Sequence, residues 1–158
     1  MIFTASALAA NLSCAAYAPA CAEYQRPQYA EVSKSLCISS VSESLLSELN
    51  ELMLDCCRPG WDGYDAEAVS VDAYRAAERF IRSLPIGIPC PEIGADPDGC
   101  VSFEWRKSAR RTVMVRVRAG NGLDYAALIG SAKFHGSEPF FGTVSETLQS
   151  LIRRVLAA

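Results

Sequence analysis

The sequence predicts an α+β fold of two layers, with helices packed on one face of an antiparallel sheet. Apolar residues recur at helical spacing in two segments before residue 85 and in the last segment of the chain. Between these segments, from Glu92 onward, apolar and polar residues alternate with the period of strands that bury one face. Glycine-containing turns separate the alternating stretches. We therefore expect two N-terminal helices, a four-stranded antiparallel meander and a C-terminal helix.

Chain length, net charge and composition limit the domain organisation and the function classes. The chain has 158 residues, a net charge of −3 and 50% apolar residues, which is typical of one soluble domain. We expect a single α+β domain over 40–158, preceded by a partly irregular N-terminal arm over 1–39. The acidic balance argues against bulk attraction to nucleic acid, and no apolar run reaches the ~18 residues of a membrane span. With a single histidine, we expect no metal site and no cofactor.

Cysteine usage indicates the compartment. No two cysteines have the C-x-x-C spacing of zinc and redox sites, and their odd number and irregular spacing are unlike a disulfide framework. We therefore expect reduced, mostly buried cysteines in a cytoplasmic protein. A cleaved secretory signal is disfavoured, because the first basic residue, Arg26, follows both candidate cleavage sites. The seven cysteines are Cys14, Cys21, Cys37, Cys56, Cys57, Cys90 and Cys100.

The first helix is predicted over Val41–Cys57. Ser40 and Glu43 form an S-x-x-E capping box ahead of a leucine-rich stripe. The sequence Pro59-Gly60 cannot continue a helix, so the helix ends before it.

Two further helices are predicted from their N-terminal capping residues. Ser70 is the predicted N-cap of the second helix, and Pro85 ends it. Thr143 and Glu146 form a second capping box, which predicts the start of the final helix.

The segment 60–66, G-W-D-G-Y-D-A, separates the first two helices, and we call it the knuckle. Its glycines allow sharp turns, its aspartates favour local turns, and its aromatic side chains can anchor it to a core. We expect structural roles for Trp61, Asp62, Gly63 and Tyr64, and a core position for Trp105. A cation site at Asp62, Asp65 and Glu67 is disfavoured, because the longer run of ligands of a calcium loop is absent.

The sheet is predicted from alternation and turns. A short strand over 92–95 leads through the D-P-D-G turn to a strand over 100–106, in which Val101, Phe103 and Trp105 share the buried face. The next strand, over 112–118, repeats this alternation.

A tight type I′ turn at Asn121-Gly122 would place Val115 opposite Leu128 and Val117 opposite Ala126. Glycines and a proline indicate that residues 130–139 form a bulged or broken last strand and a loop.

The knuckle, followed by P-E-I and A-D-P-D-G-C-V-S-F-E-W, resembles a small bacterial family of no established activity. Members of that family carry a W-D-G-Y-x-A knuckle and a P-D-G-G-V-x-x-E-W-like hairpin. The resemblance covers about Leu45 to Arg118, and this chain has Cys100 where the pattern has a glycine or another small residue. It implies a bacterial or phage origin and a setting in defence or toxin–antitoxin systems, and it assigns no functional residue.

One candidate catalytic set combines Cys100 as nucleophile, His135 as base and Glu104 as the residue that orients it. No motif accompanies these residues, so a structural cysteine and a surface histidine are the favoured interpretation. Glu104 is also expected to pair with Arg116 or Arg118 across the sheet.

The hairpin over 106–118 is strongly basic, whereas residues 43–72 contain eight acids and only Arg58 as a base. This charge separation favours a partner-binding surface on the hairpin. The residues expected to form it are Arg106, Lys107, Arg110, Arg111, Arg116 and Arg118.

We therefore expect a non-enzymatic protein-binding module, such as a bacterial or phage inhibitor, an antitoxin or an accessory protein, whose partner carries an acidic surface. A small hydrolase or transferase built on Cys100, His135 and Glu104 is one alternative. A nucleic-acid binder acting through the basic hairpin is the other, disfavoured because Phe103 and Trp105 point to the core and leave no stacking platform.

Overall fold

A computed structural model describes residues 39–157. The predicted N-terminal arm therefore lies outside the described residues, as do Cys14, Cys21 and Cys37. Within the described part, two helices precede an antiparallel sheet and one helix follows it, so the class is α+β. The helices are α1 (Ser39–Cys56), α2 (Val71–Ser83) and α3 (Glu146–Leu156), and the strands are β1 (Glu92–Ala95), β2 (Val101–Ser108), β3 (Arg111–Arg118), β4 (Gly122–Ile129) and β5 (Ala132–Pro139).

The sheet has five strands in the order β1-β2-β3-β4-β5, and every neighbouring pair is antiparallel. The prediction of four strands was wrong because β5 is a continuous strand paired along its length with β4. Gly136, which suggested a break, lies opposite Tyr125, and a Cβ there would come within 2.5 Å of the tyrosine hydroxyl oxygen. Any larger residue at this position would therefore displace the Tyr125 ring.

The core lies between one face of the sheet and the helices. On β2 and β3 the residues at alternate positions are fully enclosed, as the period of two predicted. Phe80 of α2 contacts Phe103 of β2 at a ring-centroid distance of 4.8 Å and Phe140 at 5.8 Å. α3 adds Leu148 and Ile152 to the same core. The buried apolar residues of the sheet are Val101, Phe103, Trp105, Val113, Val115, Val117, Leu123 and Ala127.

The register of β3 and β4 differs from the predicted one. Val115 lies opposite Tyr125 and Val117 opposite Leu123, rather than opposite Leu128 and Ala126. The connection is longer than a two-residue turn, because Arg118 pairs with Gly122 and residues 119–121 lie between the strands. Within it Gly120 and Asn121 have positive φ, at 89° and 65°. The shift is an odd number of residues, so it exchanges the two faces of β4 and turns Leu123 and Ala127 toward the core.

The helix starts depend on the actual caps. Ser70 caps α2 as predicted, since its hydroxyl accepts a hydrogen bond from the amide of Ala73 at 3.1 Å. α1 begins at Ser39, so Ser40 lies within the first turn. α3 begins at Glu146 and is capped by Ser145, whose hydroxyl accepts from the Leu148 amide at 3.2 Å. The predicted cap at Thr143 is two residues too early. No helix within residues 39–157 has the length and apolar character of a membrane span.

Candidate partner-binding surface

The knuckle is closed by its own side chains and backbone. The Asp62 carboxylate accepts hydrogen bonds from the amides of Tyr64 at 2.8 Å and Ala66 at 3.3 Å. The Trp61 indole donates to the Glu67 carbonyl at 2.9 Å, so Asp62 and Trp61 hold the loop together. Tyr64 was expected to anchor it, but its side chain is 84% exposed. Trp105, by contrast, is buried and donates its indole N–H to the Pro89 carbonyl at 2.8 Å.

The D-P-D-G turn meets the end of the knuckle segment. The Glu67 amide donates to the Pro97 carbonyl at 2.7 Å. Arg116, on the outer face of β3, reaches over this turn and donates to Asp96 at 2.6 Å and also to Asp98. The hydrogen bond from Arg116 to Asp98 holds the pKa of that carboxyl below its ordinary value. Arg116 therefore fixes the D-P-D-G turn to the sheet, and its guanidinium is already paired with acids of the same molecule.

The remaining outer arginines of the hairpin are also paired. Arg106 donates to Glu104 at 2.7 Å, and Arg118 lies 3.0 Å from Asp124. Glu104 therefore pairs with Arg106 on its own strand rather than with Arg116 or Arg118, and it also accepts from the Thr112 hydroxyl at 2.8 Å. Burial opposes ionisation of Glu104, but the bonds from Arg106 and Thr112 outweigh it, and its pKa is lowered.

The candidate catalytic residues are not brought together. Pairing places Glu104, Met114, Ala126 and His135 in one row across β2 to β5. With strands about 4.8 Å apart, Glu104 and His135 are separated by roughly 14 Å.

Cys100 lies before β2, where its amide donates to Asp98 at 3.4 Å. Its thiol is buried, and burial raises its pKa to about 11. The arrangement supplies neither an activated thiolate nor a base beside it.

Six cations without an ion-pair partner among the described residues gather at the opposite end of the sheet from the D-P-D-G turn. We call this cluster the basic end; it comprises Lys107, Arg110 and Arg111 of the β2–β3 hairpin, Lys133 of β5, and Arg153 and Arg154 of α3. None of the six is among the salt bridges of the described residues.

Specific contacts join the three elements of the basic end. Lys107 donates to the Ala157 carbonyl at 2.8 Å, and Arg111 donates to the same carbonyl, so both cations lie at the end of α3. The Gly130 amide donates to the Arg110 carbonyl at 2.8 Å, which joins the turn before β5 to the β2–β3 hairpin. The Arg154 guanidinium lies 5.1 Å from the centre of the Phe134 ring on β5.

The sequence pattern missed half of the basic end. Lys133, Arg153 and Arg154 are far from the hairpin in sequence. The pairing of β5 with β4 places Lys133 at the same end of the sheet, and the packing of α3 along the sheet places the two arginines there. A local signal was present, since two arginines in the last turn of a helix are typical of a charged C-terminus.

The described cysteines and acids do not suggest another centre. Cys56, Cys57, Cys90 and Cys100 are free thiols, of which Cys56 and Cys100 are buried and Cys90 is exposed. Within residues 39–157 no three histidine, cysteine or acidic side chains are grouped as a metal site would require.

No family model matches this sequence, and comparison with curated proteins and with solved structures returns no match either. The function is therefore argued from the surface itself.

Proposed function

We propose that this chain is a non-enzymatic protein-binding module that receives an acidic surface of its partner on the basic end. The observation that carries this proposal is the convergence of six cations from β2–β3, β5 and α3 without an acid in ion-pair distance of any of them among the described residues. Like charges gathered in this way repel one another, and an acidic partner removes that repulsion while gaining complementary contacts.

Two kinds of cation form the surface. Lys107 and Arg111 are held in place by the last carbonyl groups of α3, where positive charge also interacts favourably with the helix dipole. Arg110 and Arg153 make no side-chain hydrogen bond or ion pair with the described residues, and both are exposed. We therefore assign partner contact chiefly to Arg110 and Arg153. Lys107 and Arg111 hold the hairpin against the end of α3 and so fix the surface on which the other two lie.

A protein partner is favoured over nucleic acid. Binding of single strands uses aromatic faces on which bases stack. Here Phe103 and Trp105 are buried, and Arg154 covers one face of Phe134. The separation of Glu104 from His135 and the raised pKa of Cys100 weigh against the enzymatic alternative.

We extend the proposal to a biological setting, because the knuckle and the D-P-D-G hairpin resemble those of a small bacterial family. In a bacterium or phage, a small module with one charged contact surface would act as an inhibitor, an antitoxin or an accessory protein. Its cytoplasmic location is part of the same proposal.

The test is affinity capture with two charge-matched variants of the full chain. Arg110→Gln/Arg153→Gln removes two charges from the basic end, whereas Arg75→Gln/Arg82→Gln removes two from exposed positions on α2. Each variant is first checked for an unchanged thermal midpoint. Capture is then carried out from a nuclease-treated lysate of cells that naturally contain the chain, and bound proteins are quantified by mass spectrometry.

We expect the same protein to be enriched by the wild type and by the α2 variant, and its recovery to fall at least about fivefold with the basic-end variant. Equal recovery by both variants would show that the basic end is the wrong surface. Loss of all capture upon nuclease treatment would instead favour a nucleic-acid partner.

A further inference from the structure

β5 is an edge strand with hydrogen-bonding groups on its free side. Within residues 39–157 the sheet ends at β5, and no described strand pairs beyond it. The Phe140 amide donates to the Asn121 carbonyl at 2.7 Å, which continues the register of Gly122 opposite Pro139. Because hydrogen-bonding direction alternates along an antiparallel strand, the backbone groups of Lys133, His135 and Ser137 point away from β4.

A groove of ≈ 610 Å³ runs along this edge between β5 and α3. Its apolar surface comes from Tyr125, Phe134 and Leu151. Two cations, Lys133 and Arg154, line it as well, together with one acid, Glu146, at the start of α3. Arg154 lies over Phe134, and its guanidinium N–H groups have no hydrogen-bond partner among the described residues. An arginine stacked on an aromatic ring can still bind a carboxylate with the edge of its planar group.

We propose that an extended, acidic segment of the protein partner adds to β5 as a sixth strand, with alternate side chains in this groove. The proposal rests on the function proposed above and assigns the partner a chemistry: a segment in which apolar and acidic residues alternate. The backbone of β5 supplies the pairing. Phe134 and Leu151 receive the apolar side chains on the helix-covered face of the sheet. Lys133 lies on the other face of β5 and attracts the acids that alternate with them, while Arg154 is placed to bind an acid at the end of the segment.

Charge favours an acidic segment of a partner over two other possible occupants of the edge, the preceding residues of this chain and a second copy of it. The preceding 38 residues of the chain carry two acids, Glu23 and Glu31, and two bases, Arg26 and Lys34, so they have no net acidic character. A second copy would bring its own Lys133 and His135 to the edge. Lysine on an edge strand, together with Pro139 at the end of β5, is typical of edges protected from self-association.

The experiment separates backbone pairing from side-chain contact at one position. His135→Pro removes the N–H that points to the free side, and an edge strand tolerates proline at such a position. His135→Ala is the matched control, because it removes the imidazole and keeps the N–H. Both variants are checked for an unchanged thermal midpoint.

The probe is an acetylated and amidated octapeptide of alternating valine and glutamate, with a valine–lysine octapeptide as the charge control. Binding to the full-length chain is measured by titration, and amide hydrogen exchange is followed by NMR. We expect the acidic peptide to slow exchange at Lys133, His135 and Ser137 by at least about tenfold. We also expect His135→Pro to weaken peptide binding by about tenfold, His135→Ala to change it by less than about twofold, and the lysine peptide not to bind.

Three results would overturn the proposal. One is absence of binding at millimolar peptide, and another is equal binding by the proline and alanine variants. The third is protection of the three amides in the free protein, which would mean that the edge is already covered; sedimentation would then distinguish a second copy from the N-terminal segment.

Partner capture with the same variants distinguishes this proposal from the broader one. If Arg110→Gln/Arg153→Gln loses the partner and His135→Pro retains it, the basic end remains the contact surface and strand addition is wrong. If the charge variant retains the partner and His135→Pro alone loses it, the basic-end proposal fails while the edge contact stands.

Discussion

Gly99 lies so close to Ala68 that a Cβ atom at Gly99 would be 2.8 Å from the Ala68 carbonyl oxygen. Gly99 ends the D-P-D-G turn, and Ala68 follows the knuckle, so this contact joins the two motifs that are most conspicuous in the sequence. The hydrogen bond from the Glu67 amide to the Pro97 carbonyl lies beside it. The two motifs therefore act together to fix the segment between α1 and α2 against the first hairpin.

Replacing Gly99 with alanine tests this contact. Gly99→Ala should destabilise the protein by about 3 kcal/mol, because the residue has positive φ and its new Cβ meets backbone atoms that cannot move aside. Gly130→Ala is the matched control: Gly130 also has positive φ but has open space around its Cβ position, so the cost should be about 1 kcal/mol. Urea denaturation measures both free energies of unfolding. Equal costs would mean that the close approach is unimportant.

The start of α3 gives a second prediction. Ser145→Ala should lower the free energy of unfolding by about 1 kcal/mol, because the Leu148 amide loses its hydrogen-bond acceptor. Thr143→Ala should have an effect of less than about 0.5 kcal/mol, since Thr143 is exposed and lies before the cap. Thermal melts of the two variants decide between these caps, and a larger effect at Thr143 would contradict the observed helix start.

The fold class and most helices and strands could be predicted from the spacing of apolar residues along the sequence. The alternation of Val113, Val115 and Val117 predicted their common buried face, and Ser70 predicted the start of α2. β5 could not be predicted because Gly136 and Pro139 imitate a broken strand, and the reason for the glycine is the distant ring of Tyr125. The prediction of a two-residue turn between β3 and β4 was wrong. Glycine and asparagine tolerate positive φ, and Gly120 and Asn121 adopt it in the longer loop that is observed.

Charge pairing was less predictable than fold. Arg116 could have paired with Glu104 across the sheet, and only the folded turn brings Asp96 and Asp98 nearer to it. In the same way, the hairpin predicted Lys107, Arg110 and Arg111 as surface cations, but the contribution of Arg153 and Arg154 depends on how α3 packs. Such relationships join residues 18 to 50 positions apart in the chain, and no local pattern specifies them.

The Arg116 contact should make stability depend on pH. Hydrogen bonding to Arg116 lowers the pKa of Asp98 in the folded state, so its stabilisation is present above the unfolded pKa of about 4 and is lost as pH falls through the folded value. Arg116→Met should therefore cost stability at pH 7 and progressively less toward pH 3. The pH-dependent part should stay below about 1 kcal/mol, because the Asp98 side chain is 55% exposed. Urea denaturation at several pH values measures this difference; a cost that does not change with pH would contradict the assignment.

Thiol reactivity tests the catalytic alternative. At pH 7.5 a Cys100 thiol with a pKa of about 11 is almost entirely protonated, and it is also buried. Iodoacetamide should therefore modify the exposed Cys90 at least about tenfold faster than Cys100, as followed by peptide mass spectrometry. Faster modification of Cys100 would indicate an activated nucleophile and would favour the enzyme hypothesis.

A chemical-shift map of the isotope-labelled chain with its captured protein partner tests the central claim most directly. If the basic end is the contact surface, the largest amide perturbations will lie in residues 107–111, 130–134 and 153–157. Perturbations concentrated instead on the acidic segment 43–72, with the basic end unchanged, would contradict the account.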